Sequence, residues 1–302
     1  MEIHFEIENK CLLRCKHCSS CASEYGKQLK YTPEQMIDFL NSIAGKKSVY
    51  LTGGEPMLYP EILSLLEKLQ QHVEDVTLGM FTTGTVEEQG VIRSISKEWA
   101  EKLRKAGLSI CYLSLYSVEE KQHDWMTGIN GSFKILKDNI QALRAAGIRI
   151  RLNVVVTRFN YKNIPEIIQL AKQWKVSEVR LLKLICHGRA AKCWEKIGIS
   201  EKEYYMSVST MLEQKWDGIS ITASGMENVV PCRDYCKVGE CPAGKKLWYI
   251  TFEGNVYPCA SVKNNENYRI GNISERRILE NVKKYQKRVI RGRLCVNFEK
   301  GA

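Results

Sequence analysis

Cys11, Cys15 and Cys18 fall in the stretch CLLRCKHC, at the spacing Cys-x3-Cys-x2-Cys. Thiolates are soft donors, and three of them this close together point to a metal site. Structural zinc closes its tetrahedron with four protein ligands. Three ligands leave one position open, which suits an iron–sulfur or catalytic metal centre. Cys21 follows closely and could complete a set of four, so spacing alone leaves both arrangements open. A second group with chemical potential is Thr52-Gly53-Gly54-Glu55-Pro56. Paired glycines allow close backbone approach, and Glu55 adds an acceptor suited to a bound amine.

The cysteines form two groups. Of the 12 in this 302-residue chain, Cys11, Cys15, Cys18 and Cys21 lie near the start, and Cys232, Cys236, Cys241, Cys259 and Cys295 near the end. Only Cys111, Cys186 and Cys193 lie between them. The N-terminal MEIHFEIENK lacks the basic and apolar regions of a signal peptide, and no apolar run is long enough for a membrane span. We therefore expect a cytoplasmic protein, a setting in which disulfides are disfavoured. Two cysteine groups there suggest two metal sites. The net charge of +11 is concentrated in part in ERRILENVKKYQKRVIRGR (275–293), a basic helical stretch suited to an acidic partner. No nucleic-acid motif accompanies it, so neither nucleic acid nor membrane is expected as a partner.

Strand and helix patterns alternate along the first 185 residues. Strands are predicted at 3–7, 48–52, 76–81, 109–116, 148–157 and 178–185; helices at 32–44, 60–72, 97–106, 132–146 and 164–174. This order implies βαβ crossovers and a parallel sheet. In IRIRLNVVVT the alternate set Ile148, Ile150, Leu152, Val154, Val156 is apolar, whereas the opposite set includes Arg149, Arg151 and Asn153. A doubly wound sheet is apolar on both faces. A polar inner face fits an α/β partial (β/α)6 TIM-like barrel instead. Both cysteine and glycine motifs then follow barrel strands, at the end where such folds place their chemistry. We divide the chain into a barrel at 1–190, a linker region at 191–230 with a helix and the Gly/Ser-containing ITASGMEN, and a Cys-rich domain at 231–302. The last contains a hairpin, WYITFEGNVYPC, turning at Gly254-Asn255.

Together these motifs resemble the radical S-adenosylmethionine (SAM) enzymes. The resemblance implies a [4Fe–4S] cluster on Cys11, Cys15 and Cys18, with SAM chelating the open iron. His17 stands where an aromatic residue is usual, and Gly53-Gly54-Glu55 matches the motif for the methionyl amine. Thr82-Thr83-Gly84 matches a turn in which many members have Asn at the place of Thr83. Ser114 and Asn153 match positions that contact the ribose or carboxylate, and Tyr112 and Tyr116 share the face of Ser114. HDWMTGINGSF (123–133), HGRAAK (187–192) and the Cys241–Cys259 segment resemble the subgroup with a SPASM or Twitch extension. With only Cys295 after Cys259, the likeness implies a shortened, Twitch-type domain with one auxiliary [4Fe–4S] cluster. Its implied ligands are Cys241, Cys259 and Cys295, with Cys232 or Cys236 as the fourth.

The implied reaction is reductive cleavage of SAM to a 5′-deoxyadenosyl radical, which abstracts hydrogen from a substrate C–H bond. A reductant such as flavodoxin or ferredoxin is implied. Maturation of a ribosomally made peptide (cross-link, thioether or epimerisation) leads. Dehydrogenation or rearrangement of a sugar or cofactor precursor is the alternative. A zinc-stapled binding module is the non-enzyme alternative. An epimerase would need a hydrogen donor, for which Cys186 is a candidate. Because strand one opens the chain, a precursor peptide is expected to reach it through a separate recognition protein or the basic tail.

Overall fold

Alternation in the first strand sets the pattern for the sheet. In β1 (Glu2–Glu8), Ile3, Phe5 and Ile7 are buried in the main core, and His4 and Glu6 are buried on the opposite face. Each such apolar side chain contributes roughly 1.5–3 kcal/mol on burial. The structure, a computed structural model, describes residues 1–226, 241–263 and 265–288.

All six predicted barrel strands are present: β1, β2 (Lys47–Gly53), β3 (Val76–Phe81), β6 (Leu108–Ser114), β7 (Arg149–Val156) and β8 (Glu178–Lys183). A short hairpin, β4 (Val86–Glu88) and β5 (Val91–Arg93), stands apart as a two-stranded sheet. The six strands lie side by side in chain order, all parallel. A doubly wound sheet would reverse its order at a switch point; this one does not, and it is a partial TIM-like barrel.

Helices cover the outer face. These are α1 (Pro33–Asn41), α2 (Ile62–His72), α3 (Lys97–Lys105), α5 (Ser132–Ala145) and α6 (Ile164–Gln173), while α4 (Glu120–Thr127), between β6 and α5, packs on α5 and the loop after β1. Helix α1 starts at a capping box in which Thr32 and Gln35 bond each other's backbone amides, followed by Pro33. Gly107 and Gly147 follow the caps of α3 and α5 at φ +107° and +80°, a region that favours glycine. The inner face is polar: Arg151 of β7 donates to the Tyr112 hydroxyl at 2.6 Å and pairs with Glu178 at 3.2 Å.

Two features depart from the sequence reading. After the short helices α7 (Arg189–Lys192) and α8 (Trp194–Ile197), α9 (Glu201–Glu213) leads not into a linker but into β9 (Ser220–Ala223), which pairs in parallel with β8. Ile219 and Ile221 are buried in the main core, and Thr222 Oγ1 donates to Glu178 at 2.7 Å. Four residues are too few for alternation to stand out in a Gly/Ser-containing stretch.

The second departure is at the opposite sheet edge. There β10 (Leu247–Ile250) pairs in parallel with β1 and antiparallel with β11 (Asn255–Tyr257), which pairs with β12 (Gly271–Asn272). Gly254 turns the hairpin at φ +82°. Helix α10 (Ile278–Arg288) closes this unit, with Ile278 and Val282 in the main core. The Cys-rich region thus extends the barrel sheet rather than hanging from it.

Candidate active site

The loop after β1 carries the three cysteines and is held by backbone bonds from two directions. From α4, the Thr127 and Met126 carbonyls accept from the Arg14 and Lys16 amides at 2.8 and 2.9 Å. Asp124 fixes that helix end by accepting from the Gly131 and Phe133 amides and the Ser132 hydroxyl at 2.6–2.9 Å. From the opposite side, the Arg189 amide donates to the Cys18 carbonyl, and its side chain to the carbonyls of Cys15 and Ala22, at 2.8–2.9 Å. Gly188 lies so close that a Cβ there would sit 2.5 Å from the Ser19 carbonyl oxygen. The segments HDWMTG and HGR are thus the two braces of the cysteine loop.

Ten of the sequence-predicted residues line one pocket of about 210 Å³: Cys11, Cys15, His17, Cys18, Gly53, Gly54, Thr82, Thr83, Ser114 and Asn153. Tyr112, Tyr116 and Arg189 complete much of its wall. Gly53 and Gly54 serve a purpose beyond ligand approach. Cβ atoms there would lie 2.0 and 2.2 Å from the Glu8 and Lys10 carbonyl oxygens. In return, the Gly54 and Glu55 amides donate to those carbonyls at 2.7 Å, joining β2 to the start of the cysteine loop.

Glu55 is 0% exposed and is not among the residues that line the pocket. Its carboxylate accepts from the hydroxyls of Thr82 and Thr83 and from the amides of Thr83 and Met57. Burial pushes its pKa up, while those four bonds oppose the rise. Asn139 supports the same turn from α5, donating to the Thr83 and Gly84 carbonyls at 3.1 and 3.0 Å. Glu55 therefore positions the Thr82–Gly84 turn.

The remaining side chains are poised for a ligand. Asn153 Oδ1 and His17 Nδ1 are buried without a partner, an arrangement that costs free energy unless something binds there. His17 Nε2 lies 3.2 Å from the Tyr116 hydroxyl, and the two rings are 4.6 Å apart. Burial, with the charges of Arg189 and His123, pushes the His17 imidazole down to about 4, so it is neutral at neutral pH. Burial also pushes the Cys11 thiol up to about 12, and burial with the neighbouring thiols raises Cys15 further.

These residues fit a cluster with SAM. The three thiols share a pocket wall, yet no three His, Cys, Asp or Glu side chains among the described residues draw together around a single ion. Thiolates buried in this way need the positive charge of a metal core. Cys11, Cys15 and Cys18 would hold the core, and Asn153, Ser114 and the Thr82–Gly84 turn would face its co-substrate.

The model of the radical SAM superfamily matches residues 5–171. The chain belongs to the radical SAM superfamily. A second model, SPASM, an iron–sulfur cluster-binding domain, matches residues 241–299. The chain is thus a radical SAM enzyme that binds SAM and carries a SPASM domain. It is 25% identical over 308 aligned residues to an AdoMet-dependent heme synthase of Methanosarcina barkeri, covering 94% of this chain and 83% of that protein. It is 24% identical to a PqqA peptide cyclase of Xanthomonas oryzae pv. oryzae, over 93% of this chain and 73% of that protein. In fold it resembles Streptococcus suis SuiB bound to its precursor peptide SuiA, with TM-score 0.66 and 17% identity over 97% of this chain. The chain spans about two thirds of SuiB, 64% to 67% of the solved chains.

In the SPASM region, Cys241 and Cys259 share one apolar cluster with Ala243, Leu247, Val262 and Tyr268. Cys232, Cys236 and Cys295 lie outside the described residues. Cys186, just beyond β8, is half-buried and does not line the pocket. Cys193 donates from its thiol to the Lys16 and Arg189 carbonyls at 3.2 Å, a further brace for the loop. Cys21 is exposed at φ +50°, and it is Cys11, Cys15 and Cys18 that face the pocket. Sequence reasoning missed Arg189 as a clamp. Its signal was a cation directly after glycine at the carboxyl end of a barrel strand.

Among the described residues no helix is long and apolar enough to cross a membrane.

Proposed function

We propose that the chain matures a ribosomally made peptide by radical chemistry at the cysteine pocket. With cluster and SAM bound, the chemistry supplied is a 5′-deoxyadenosyl radical that removes hydrogen from a C–H bond. The protein's part is to hold the substrate against that radical and to keep water away. The observation that carries the peptide reading is a second cavity, of about 310 Å³, sharing the Gly53-Gly54 wall and reaching the β10–β11 hairpin. Glu6, Glu8, Glu253 and Glu266 line it together with Lys27 and Lys263. Thr251 Oγ1, also in this lining residue set, is buried without a partner.

Such a polar, predominantly acidic lining suits a peptide segment with amide and cationic groups. It disfavours a tetrapyrrole, whose carboxylates would meet like charge in a partly buried site. The likeness to a peptide cyclase and to a peptide-bound fold agrees with this reading. The alternative, a sugar or cofactor precursor, finds support in the likeness to heme synthases. The auxiliary site is read as one [4Fe–4S] cluster on Cys241, Cys259 and Cys295, with Cys232 or Cys236. Cys186 stays a candidate hydrogen donor only if substrate binding brings it to the pocket.

The experiment uses reconstituted enzyme, SAM, a reductant and a deuterated candidate precursor peptide. Deuterium in 5′-deoxyadenosine, with a mass change in the peptide, is the expected result. Transfer from a small-molecule precursor but not from peptide would replace this reading with the alternative. Cys11→Ala, Cys15→Ala and Cys18→Ala should each abolish 5′-deoxyadenosine formation.

A further inference from the structure

The cysteine loop has a second face, which neither cavity uses. Among the described exposed aromatic residues, Trp125 and Phe159 alone touch one another, at 38% and 43% exposure and a ring separation of 4.6 Å. Lys16, the residue after Cys15, lies over the Trp125 ring at 4.6 Å. Arg158, next to Phe159 and exposed, donates to the Glu195 carbonyl at 2.9 Å, which brings α8 and its exposed Lys196 alongside. The Cys193 thiol donates to the Lys16 carbonyl at 3.2 Å, which sets the Lys16 segment beside the start of α8. Two exposed carboxylates border this rim, Glu195 and Glu203, the latter held below its usual range by hydrogen bonds from Ser200 and, in part, by Arg158.

Two properties of the patch matter. Lys16, Trp125, Arg158, Phe159 and Lys196 line neither cavity, so a substrate in either would not meet them. The patch is also joined to a cluster ligand by a short path. Trp125 adjoins Met126, whose carbonyl accepts at 2.9 Å from the Lys16 amide, one peptide bond from Cys15. An electron arriving at the Trp125 ring therefore has a mostly covalent route to the thiolate.

We propose that this aromatic and basic face is where an acidic one-electron carrier protein docks to reduce the cluster. The proposal rests on the reading that Cys11, Cys15 and Cys18 hold a cluster reduced from outside, and it is independent of the substrate. Small, electrostatically steered interfaces suit transient redox encounters. Here cations would steer the carrier, and the ring pair would supply a flat apolar contact at the point of transfer. The net charge of +11 reinforces the steering.

The test follows bleaching of the reconstituted holoenzyme's visible absorption in stopped flow, with reduced flavodoxin as the acidic probe and dithionite as the small reductant. Two variants are compared with the parent, Arg158→Glu/Lys196→Glu and Trp125→Ala/Phe159→Ala, after iron content is matched. Reduction by flavodoxin should slow by about tenfold in each, and the charge-reversal variant should lose its salt dependence. Flavodoxin binding measured by anisotropy should weaken in parallel, while dithionite reduction stays within about twofold of the parent. Equal slowing with both reductants, or unchanged reduction by flavodoxin, overturns the docking face. Absence of bound iron and of iron–sulfur absorption in the anaerobically reconstituted parent overturns the cluster reading as well. Should the aromatic variant lose iron, the charge-reversal variant alone decides.

Discussion

Lys263 of the SPASM region and Glu6 of β1 form an ion pair buried at the junction of the two regions, each side chain only 6% exposed. The same ammonium donates to Ser20 Oγ of the cysteine loop at 2.6 Å. Glu6 also accepts from the Tyr249 hydroxyl at 2.6 Å and from the Phe252 amide at 3.1 Å. One cation thus ties the SPASM region, the first barrel strand and the cysteine loop together. Removing one partner of a buried pair leaves the other charge uncompensated, at about 3–5 kcal/mol. Lys263→Met should destabilise the chain by about that amount in chemical denaturation. Lys263→Met/Glu6→Gln should recover much of the loss; no recovery would show that Lys263 matters for packing rather than charge.

Arg189 holds the Cys15 and Ala22 carbonyls through its side chain. Arg189→Met leaves those carbonyls without their donor and loosens the thiolate geometry. Supporting groups around metal ligands typically contribute about 10–100-fold in metal affinity. Iron should therefore be lost to a chelator faster by about that factor, with the far-ultraviolet circular dichroism unchanged. Iron retention equal to the parent would remove Arg189 from the cluster's support.

Every hydrogen bond found for the Glu55 carboxylate is one it accepts. Glu55→Gln sets an amide N–H against one of those donors and displaces the Thr82–Gly84 turn. SAM should bind about tenfold more weakly, equivalent to ~1.4 kcal/mol, with iron content unchanged. Equilibrium dialysis with SAM measures this. An unchanged affinity would mean that the turn does not contact SAM.

His123 is buried, and its Nδ1 accepts from the Tyr116 amide at 3.3 Å. Burial pushes its imidazole down to about 4, against a partial upward pull from Asp124. The unfolded chain binds a proton on this ring near pH 6.5 and the folded chain only near 4. Stability should thus be fully present above pH 6.5 and fall as the pH drops through that window. The loss should be on the order of 3 kcal/mol at pH 4. Denaturation midpoints of the parent and His123→Asn across this range give the check: the variant should show a shallower decline.

Hydrophobic alternation with polar opposite faces was legible where strands were long. The inward set of IRIRLNVVVT is the clearest instance: Arg151 bonds Tyr112 inside the barrel, and Asn153 lines the pocket. The motif spacing likewise brought Cys11, Cys15 and Cys18 to one wall with the glycine turn. Three things were hidden for physical reasons. Strand β9 is four residues long, so its period of two is too brief to separate from a loop. Glu55 faces inward because its acceptors match donors on a turn 27–28 residues ahead, a tertiary match with no local trace. The pairing of β10 with β1 joins residues near opposite ends of the chain, and nothing in either segment names the other.

That last pairing has a consequence for synthesis. β1 is synthesised well before Leu247–Ile250, so it acquires β2 on one side within some fifty residues while its other neighbour is still to be made. Until that neighbour is made, the strand that leads into the cysteine loop has an unsatisfied edge, open to a second nascent chain. Glu6, whose partner Lys263 arrives later still, keeps an unpaired carboxylate on the inner face of that strand meanwhile, a charge that discourages mispairing. The order of synthesis therefore sets an order of assembly: Leu247–Ile250 and Lys263 must fold onto β1 before the cysteine loop acquires these contacts.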